Sequence, residues 1–393
     1  MDLNNNYSFR RIYTLTAHTP IIHFQHRQSG ATLRATEVKP KLDSFIKKKM
    51  AGRRIPGGWF VGDSEALNYK LHFSACGRQE RTQPPRIYYG NAGVQEESRA
   101  ECVKGNCRME IICFIPELMA EIQKYVAEFF VCTNFGRMQN KGFGSFTVQG
   151  ESYSEKEIGD ILKDEAKARD CYYISGYKPE EIGKIFDDIS TLYGVMKSGY
   201  NMRGSYHRSY LFEYFIEKGI GNEKAYLKKK EVAPYDNGEP VKHPLNRRSF
   251  YEQNYREYKY VRALLGVGEQ LQFISGFKWG RMKNGKEGYM STGKERIKIK
   301  NASIERLESP IFFKIIDGKL YMVAKRVNDC IFNKEFTFTN VNQRKSISVS
   351  VPGEFDIDDF LDWFVKKYNI DSTQKDKRGN RVLYSIGKKV LKV

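Results

Sequence analysis

An α+β fold of two tandem units is what the sequence predicts, from three observations. Apolar periodicity orders the first 150 residues as β-α-β-β-α-β. The same order returns in the second half, interrupted by a large insertion. A glycine-rich basic stretch, 133–147, follows the second helix of the first unit and leads into a strand. That element order is the ferredoxin-like (RRM-like) arrangement. The predicted domains are 1–150 and 151–393, joined near 150–168, with a helical and basic insertion at about 198–301.

In the first unit, residues 9–18 alternate as a strand, and Thr19-Pro20 ends it. A polar loop with His23 and His26 follows. Val38, Leu42, Phe45 and Ile46 fall on one face of a helix, with Thr36 as its N-cap and Pro40 in its first turn, where a missing N–H costs nothing. A helix N-terminus beside Arg34, Lys39 and Lys41 is a phosphate site in prospect. Strands at 67–73 and 108–114 flank a polar insertion containing Pro84-Pro85. Residues 116–132 form an amphipathic helix with Leu118, Ile122, Val126, Phe129 and Phe130 on its apolar face, and 144–149 a strand.

Between those last two elements, three glycines, two cations, two asparagines and a glutamine crowd into 133–147. Glycines let the backbone approach a ligand closely, and successive N–H groups can form an anion nest. Arg137 and Lys141 would supply counter-charge, beside Asn134, Gly136, Asn140, Gly142 and Gly144. The expectation is a phosphate-gripping loop; the plainer alternative is a turn that needs glycine for its geometry.

The second unit opens with a strand at 171–175 and a helix at 179–197. The insertion holds Arg203 in a Tyr-rich basic run, helical stretches at 206–217 and 250–265, and a glycine-rich basic segment at 276–293. Strands at 302–316 and 320–327 turn at Asp317-Gly318, a hairpin signal. A helix at 357–368 and a strand at 383–393 finish the chain.

Composition sets the partner class. The 393 residues carry 66 Lys+Arg against 47 Asp+Glu, a net charge of +19, and that excess points to a polyanion. Nine cations lie between Arg27 and Arg54 against Glu37 and Asp43, and eight between Lys278 and Lys300 against Glu287 and Glu295. With 25 Tyr and 25 Phe, many beside cations, the mixture suits base stacking as well as ordinary cores. Apolar runs are too short to span a membrane, and the first residues form no secretory signal, so the expected location is the cytoplasm. Seven cysteines without a signal argue against a disulfide framework.

Other readings stay open. His18, His23 and His26 cluster near the first loop, and histidine can activate a ribose 2′-OH as general base. His72, Cys76, Cys102 and Cys107 could supply a structural zinc, against the alternative of free thiols and no cofactor. Asp356, Asp358, Asp359 and Asp362 suit a helix N-terminal dipole better than a metal.

Three patches resemble one family. They are Thr19-Pro20 followed by Leu33-Arg34-Ala35-Thr36-Glu37-Val38-Lys39; Asn134-Phe135-Gly136 leading to Lys141-Gly142-Phe143-Gly144-Ser145; and Glu305-Arg306-Leu307-Glu308-Ser309-Pro310-Ile311-Phe312-Phe313. Their order and spacing resemble the RAMP superfamily of CRISPR-associated proteins, in particular the two-domain terminal subunit of type III-B (Cmr) effector complexes. The resemblance implies tandem ferredoxin-like folds, binding of CRISPR RNA or its duplex with target RNA, and assembly with other Cas and RAMP subunits. It carries binding roles to Arg34, Lys39, Gly136, Arg137, Lys141, Gly142 and Gly144. RAMP subunits that cut target RNA use an aspartate in the loop after the first strand, and here 21–32 contains no Asp or Glu. The leading expectation is therefore an RNA-binding subunit without catalysis. The rivals are a CRISPR precursor-processing endoribonuclease, and an assembly subunit that touches RNA incidentally.

Overall fold

A computed structural model describes residues 9–22, 32–83, 85, 101–202, 205–233, 255–281, 287–373 and 386–393. Its elements, in chain order, start with β1 (Arg10–Ala17), α1 (Ala35–Lys49), β2 (Lys70–Ala75), β3 (Glu80–Thr82), β4 (Cys102–Lys104), β5 (Cys107–Ile112), α2 (Pro116–Cys132) and β6 (Phe146–Val148). Next come α3 (Glu155–Ala166), β7 (Cys171–Ile174), α4 (Ile182–Lys197), β8 (Tyr200–Met202), β9 (Ser205–His207), α5 (Tyr210–Glu217), β10 (Ile220–Asn222), α6 (Glu223–Lys229) and β11 (Glu257–Lys259). The remainder are β12 (Gln270–Arg281), β13 (Glu287–Lys300), β14 (Ile311–Ile316), β15 (Lys319–Ala324), β16 (Glu335–Asn340), β17 (Lys345–Ser350), α7 (Ile357–Thr373) and β18 (Leu391–Lys392). The class is α+β. The chain divides into one unit of Met1–Ser190, Phe312–Ala324 and Lys388–Val393, and another of Thr191–Ile311 and Lys325–Gly387.

The first unit holds two four-stranded sheets, ordered β2-β5-β1-β6 and β14-β15-β7-β18. In the first sheet every neighbour is antiparallel, with Tyr13 opposite Met109, Leu15 opposite Val148 and Phe73 opposite Met109. Alternation divides its faces. Leu15, Ala17, Cys107, Met109 and Ile111 are buried with Val38, Leu42, Phe45 and Ile46 of α1 and Leu118, Ile122, Val126 and Phe129 of α2. Arg10, Ile12, Thr14, Arg108 and Glu110 alternate to the opposite face. An aromatic chain runs through this core, with Phe129 5.6 Å from Phe45 and 5.9 Å from Phe135, and Phe135 6.3 Å from Phe146. In the second sheet β14 is buried along its whole length, and Asp317 and Gly318 turn it into β15 with φ of +47 and +70, as the hairpin signal predicts.

The second unit contains the sheet β12-β13-β16-β17. There, α5 and α7 meet through Tyr214, whose ring lies 5.3 Å from Phe360 and 5.5 Å from Trp363. A buried ion pair, Arg262 with Glu223, holds the short helical turn Val261–Leu265.

Several local expectations are corrected. α1 begins at Ala35 with Arg34 at the cap, so Thr36 is inside the helix and Pro40 lies beyond its first turn. The stretch read as a joining segment at 150–168 is largely α3, opened by a capping box in which Ser154 accepts from the Glu157 amide and Glu157 reaches back. Within 250–265, the described residues form β11 and a 3₁₀ turn instead of an α-helix. The long strand expected at 302–316 narrows to β14.

One buried cation ties β14 to α2. Lys314 is fully buried, and its Nζ donates to the carbonyls of Phe130 (2.7 Å), Thr133 (2.8 Å) and Phe146 (3.4 Å). Two of these are carbonyls at the end of α2, where the helix itself offers no N–H. Burial pulls the ammonium down to about 7. Lys314→Met keeps the chain length and removes the donors, which leaves those carbonyls without partners. It should destabilise the protein by about 1–3 kcal/mol in urea unfolding; an unchanged midpoint would show that the tie carries no stability.

Candidate nucleic-acid interface

The glycine-rich loop closes on the chain that leaves β1. Thr19, fully buried, donates from Oγ1 to the Gly142 carbonyl at 2.7 Å and accepts from the Ser145 amide at 2.8 Å. The Gly144 amide donates to the Pro20 carbonyl, and the Arg137 amide to that of Ile22. The Lys141 and Gly142 amides close turns on Met138 and Gln139. The Gly136 amide donates to Glu37 Oε1 at 2.7 Å. The glycines are required by close approach. A Cβ on Gly144 would lie 2.0 Å from the Phe135 carbonyl oxygen, and one on Gly136 would lie 2.5 Å from that of Ile22, both at positive φ.

This geometry corrects the expected anion nest. The amides of Gly136, Arg137, Lys141, Gly142 and Gly144 all have acceptors within the protein. The anion that the loop holds is the carboxylate of Glu37. Lys41 braces it, donating to Glu37 (3.2 Å), the Asn134 carbonyl (3.1 Å) and Gln139 Oε1 (2.8 Å), with Nζ 4.9 Å from the Phe135 ring. Asn134 is 1% exposed and donates from Nδ2 to the carbonyls of Gln139 and Phe313, so it fastens the loop to β14. The Asn140 carbonyl accepts from the Phe313 amide, and Lys141 is half-buried with Nζ 5.7 Å from the Phe313 ring.

The basic stretch is largely neutralised. Every lysine of α1 is ion-paired: Lys39 with Asp43, Lys41 with Glu37, Lys47 with Glu65, Lys48 with Glu165, and Lys49 with Asp164 and Glu128. Lys39 also donates to the Leu67 carbonyl and lies over the Tyr69 ring. Arg137 is exposed on the glycine-rich loop. Arg34, at the start of α1, is half-buried. Arg203, His23 and His26 lie outside the described residues.

His18 sits inside the fold. The Asp317 amide donates to its Nδ1 at 3.3 Å, which leaves the proton on Nε2 to bond Thr147 Oγ1 at 2.8 Å. Burial pushes the imidazole down to about 4. His72 and Cys76 are exposed, whereas Cys102 and Cys107 are buried, with burial raising both thiols and Cys107 reaching about 12. Among the described residues no group of three His, Cys, Asp or Glu side chains lies close enough to hold a metal. Asp356 accepts from the Asp359 amide at 2.9 Å, the part expected of a helix N-terminal acid.

Sequence reasoning missed Thr19, Glu37, Gln139, Ser145 and Lys314 as loop-holding residues. Ser145 Oγ donates to the Ile315 carbonyl at 2.5 Å. The nearest signal is the run of polar residues flanking the glycines, whose partners lie far away in the chain.

Two family models match along nearly the whole chain, the Cmr1 N-terminal domain over residues 9–200 and the Cmr1 C-terminal domain over residues 206–392. These define a RAMP-type subunit of a type III-B CRISPR effector complex. The chain belongs to the Cmr1 family. Among solved structures it is similar to the crystal structure of Cmr1 from Pyrococcus furiosus in its apo form, at 9% identity and a TM-score of 0.37, covering 91% of this chain and 96% of that one. No curated protein matches it.

Two outcomes follow from the loop. Gly144→Ala forces a Cβ against the Phe135 carbonyl at positive φ, so it should cost more than about 2 kcal/mol of stability or abolish soluble folded protein; a variant as stable as the parent would contradict the close approach. For His18 the unfolded value near 6.5 lies above the folded one of about 4, so the unfolded chain binds a proton that the fold refuses. Stability should therefore fall as pH drops from about 6.5 towards 4, and less so in His18→Gln. Parallel pH profiles for the two proteins would contradict the assignment.

Proposed function

We propose that this chain is the RNA-binding subunit of its type III-B effector complex, gripping CRISPR RNA or the guide–target duplex through the phosphate backbone for antiviral defence. On this reading it consists of two ferredoxin-like domains, 1–150 and 151–393, the second carrying the insertion at about 198–301. The strand orders β2-β5-β1-β6 and β14-β15-β7-β18 support that reading, because each runs second, third, first, fourth along a β-α-β-β-α-β series. It works in the cytoplasm beside other Cas and RAMP subunits. Among the described residues no helix is long and apolar enough to cross a membrane.

The observation that carries the reading is an exposed Arg137 on a loop whose Gly136, Arg137, Lys141, Gly142 and Gly144 amides are engaged within the protein, in a chain of net charge +19. A rigid mount reduces the ordering cost of a contact. Phosphate contacts then come from side chains, first the exposed Arg137, with the half-buried Arg34 and Lys141 as further contacts once their side chains swing outward, and sequence identity is left to base pairing. Glycines contribute by shaping the mount. The precursor-processing reading lacks a described general base, since His18 is buried and neutral at physiological pH.

Fluorescence anisotropy of the full chain against a CRISPR RNA, repeated over a salt series, tests this. Arg137→Ala should weaken binding evenly across RNA sequences and lower the salt slope by about 1, and adding Lys141→Ala should weaken it further. Unchanged affinity and slope in the double variant would remove the site. Weak, salt-insensitive binding by the parent protein would favour the assembly role instead.

A further inference from the structure

The face of the first sheet turned away from α1 and α2 is a second candidate surface. Its rows follow from register. Lys70, Ile112 and Arg10 lie side by side; His72, Glu110 and Ile12 form the next row; Ser74, Arg108 and Thr14 form the one after. Rows two residues apart are about 7 Å from one another along the strands. Lys70, His72, Ser74 and Arg108 are exposed. The carboxylate of the face, Glu110, is bonded by Arg10 at 2.6 Å, and that bond holds it below the usual carboxylate range. Lys70 and Arg108 therefore leave the face positive.

Just past the ends of β1 and β5 that carry Arg10 and Ile112 stands an aromatic pair. Phe114, two residues past Ile112, is 77% exposed, and its ring stacks on that of Phe9 at 5.2 Å and 21°. Single exposed apolar residues such as Val61 need no explanation. Two stacked phenylalanines at the rim of a cationic sheet face are a different arrangement. A flat π-surface matches a nucleobase, and cations one to three rows away match the phosphates that follow it.

We propose that this face is a stacking platform for single-stranded RNA, with Phe114 receiving a base on the support of Phe9, and Lys70 and Arg108 contacting phosphates. This rests on the RNA-binding reading above and names a second surface for it. Charge complementarity selects RNA over an apolar protein partner. A lysine on the edge strand β2 also discourages strand pairing, and the aromatic variants separate that role from RNA contact.

The test uses the full chain and a fluorescently labelled 12-mer oligouridylate, with Phe114→Leu, Phe114→Tyr and Arg137→Ala compared in one anisotropy assay. Leucine keeps an apolar group and removes the ring, so Phe114→Leu should lose about tenfold in affinity, the scale of one stacked base. Phe114→Tyr should retain the parent affinity, and the melting temperatures should match. If Phe114→Leu binds like the parent while Arg137→Ala is weakened, the platform is refuted and the loop reading stands. If the parent protein binds neither the 12-mer nor CRISPR RNA, both fall. If Phe114→Leu keeps RNA affinity but loses another complex subunit, the face docks protein and the proposal is overturned.

Discussion

The Gly136 amide points at the Glu37 carboxylate from 2.7 Å, and the shape of the glycine-rich loop depends on that contact. Glu37 comes from the first turn of α1, and Lys41, one turn further on, bonds the same carboxylate and reaches the Asn134 carbonyl and Gln139. Helix and loop are thus one charged, hydrogen-bonded piece. Thr19 and Pro20 fasten it to the end of β1, and Asn134 and Ser145 fasten it to β14. A loop whose composition suggests a phosphate grip is, by its bonding, a scaffold that carries its own anion.

The charge distribution follows the same logic. Nine cations between Arg27 and Arg54 suggest an electrostatic footprint, yet the α1 lysines reach carboxylates on other elements, Glu128 on α2 and Asp164 and Glu165 on α3 among them. Exposed pairs of this type each contribute only about 0–1 kcal/mol, so their effect is to orient helices and cancel charge more than to stabilise. Exposed cations are found elsewhere too, among them Arg137, Lys70 and Arg108.

Elements that bury one face at a clear period were legible. β1 alternates, and α2 repeats Leu118, Ile122, Val126, Phe129 at helical spacing and begins at a proline. α3 was missed, because its weakly apolar sequence resembles a linker, although Ser154 and Glu157 three residues apart mark its start. The candidate site was half legible. The positions of the glycines mark where the backbone comes close to something, and that something is the protein itself. What the glycines approach could not be read, because Glu37 is 99 residues from Gly136, and the Ile315 carbonyl that accepts from Ser145 is 170 residues away. Lys314 was illegible for the same reason: a lysine within an apolar strand gives no sign of the three carbonyls that surround it.

Amide hydrogen exchange tests the closed loop most directly. The full chain is measured with and without bound CRISPR RNA, following the amides of Gly136, Arg137 and Gly144. Donors already bonded to Glu37, Ile22 and Pro20 should exchange slowly in the free protein and gain little protection from RNA. Fast exchange in the free protein, followed by strong protection when RNA binds, would mean that these amides await phosphate, and would contradict the account.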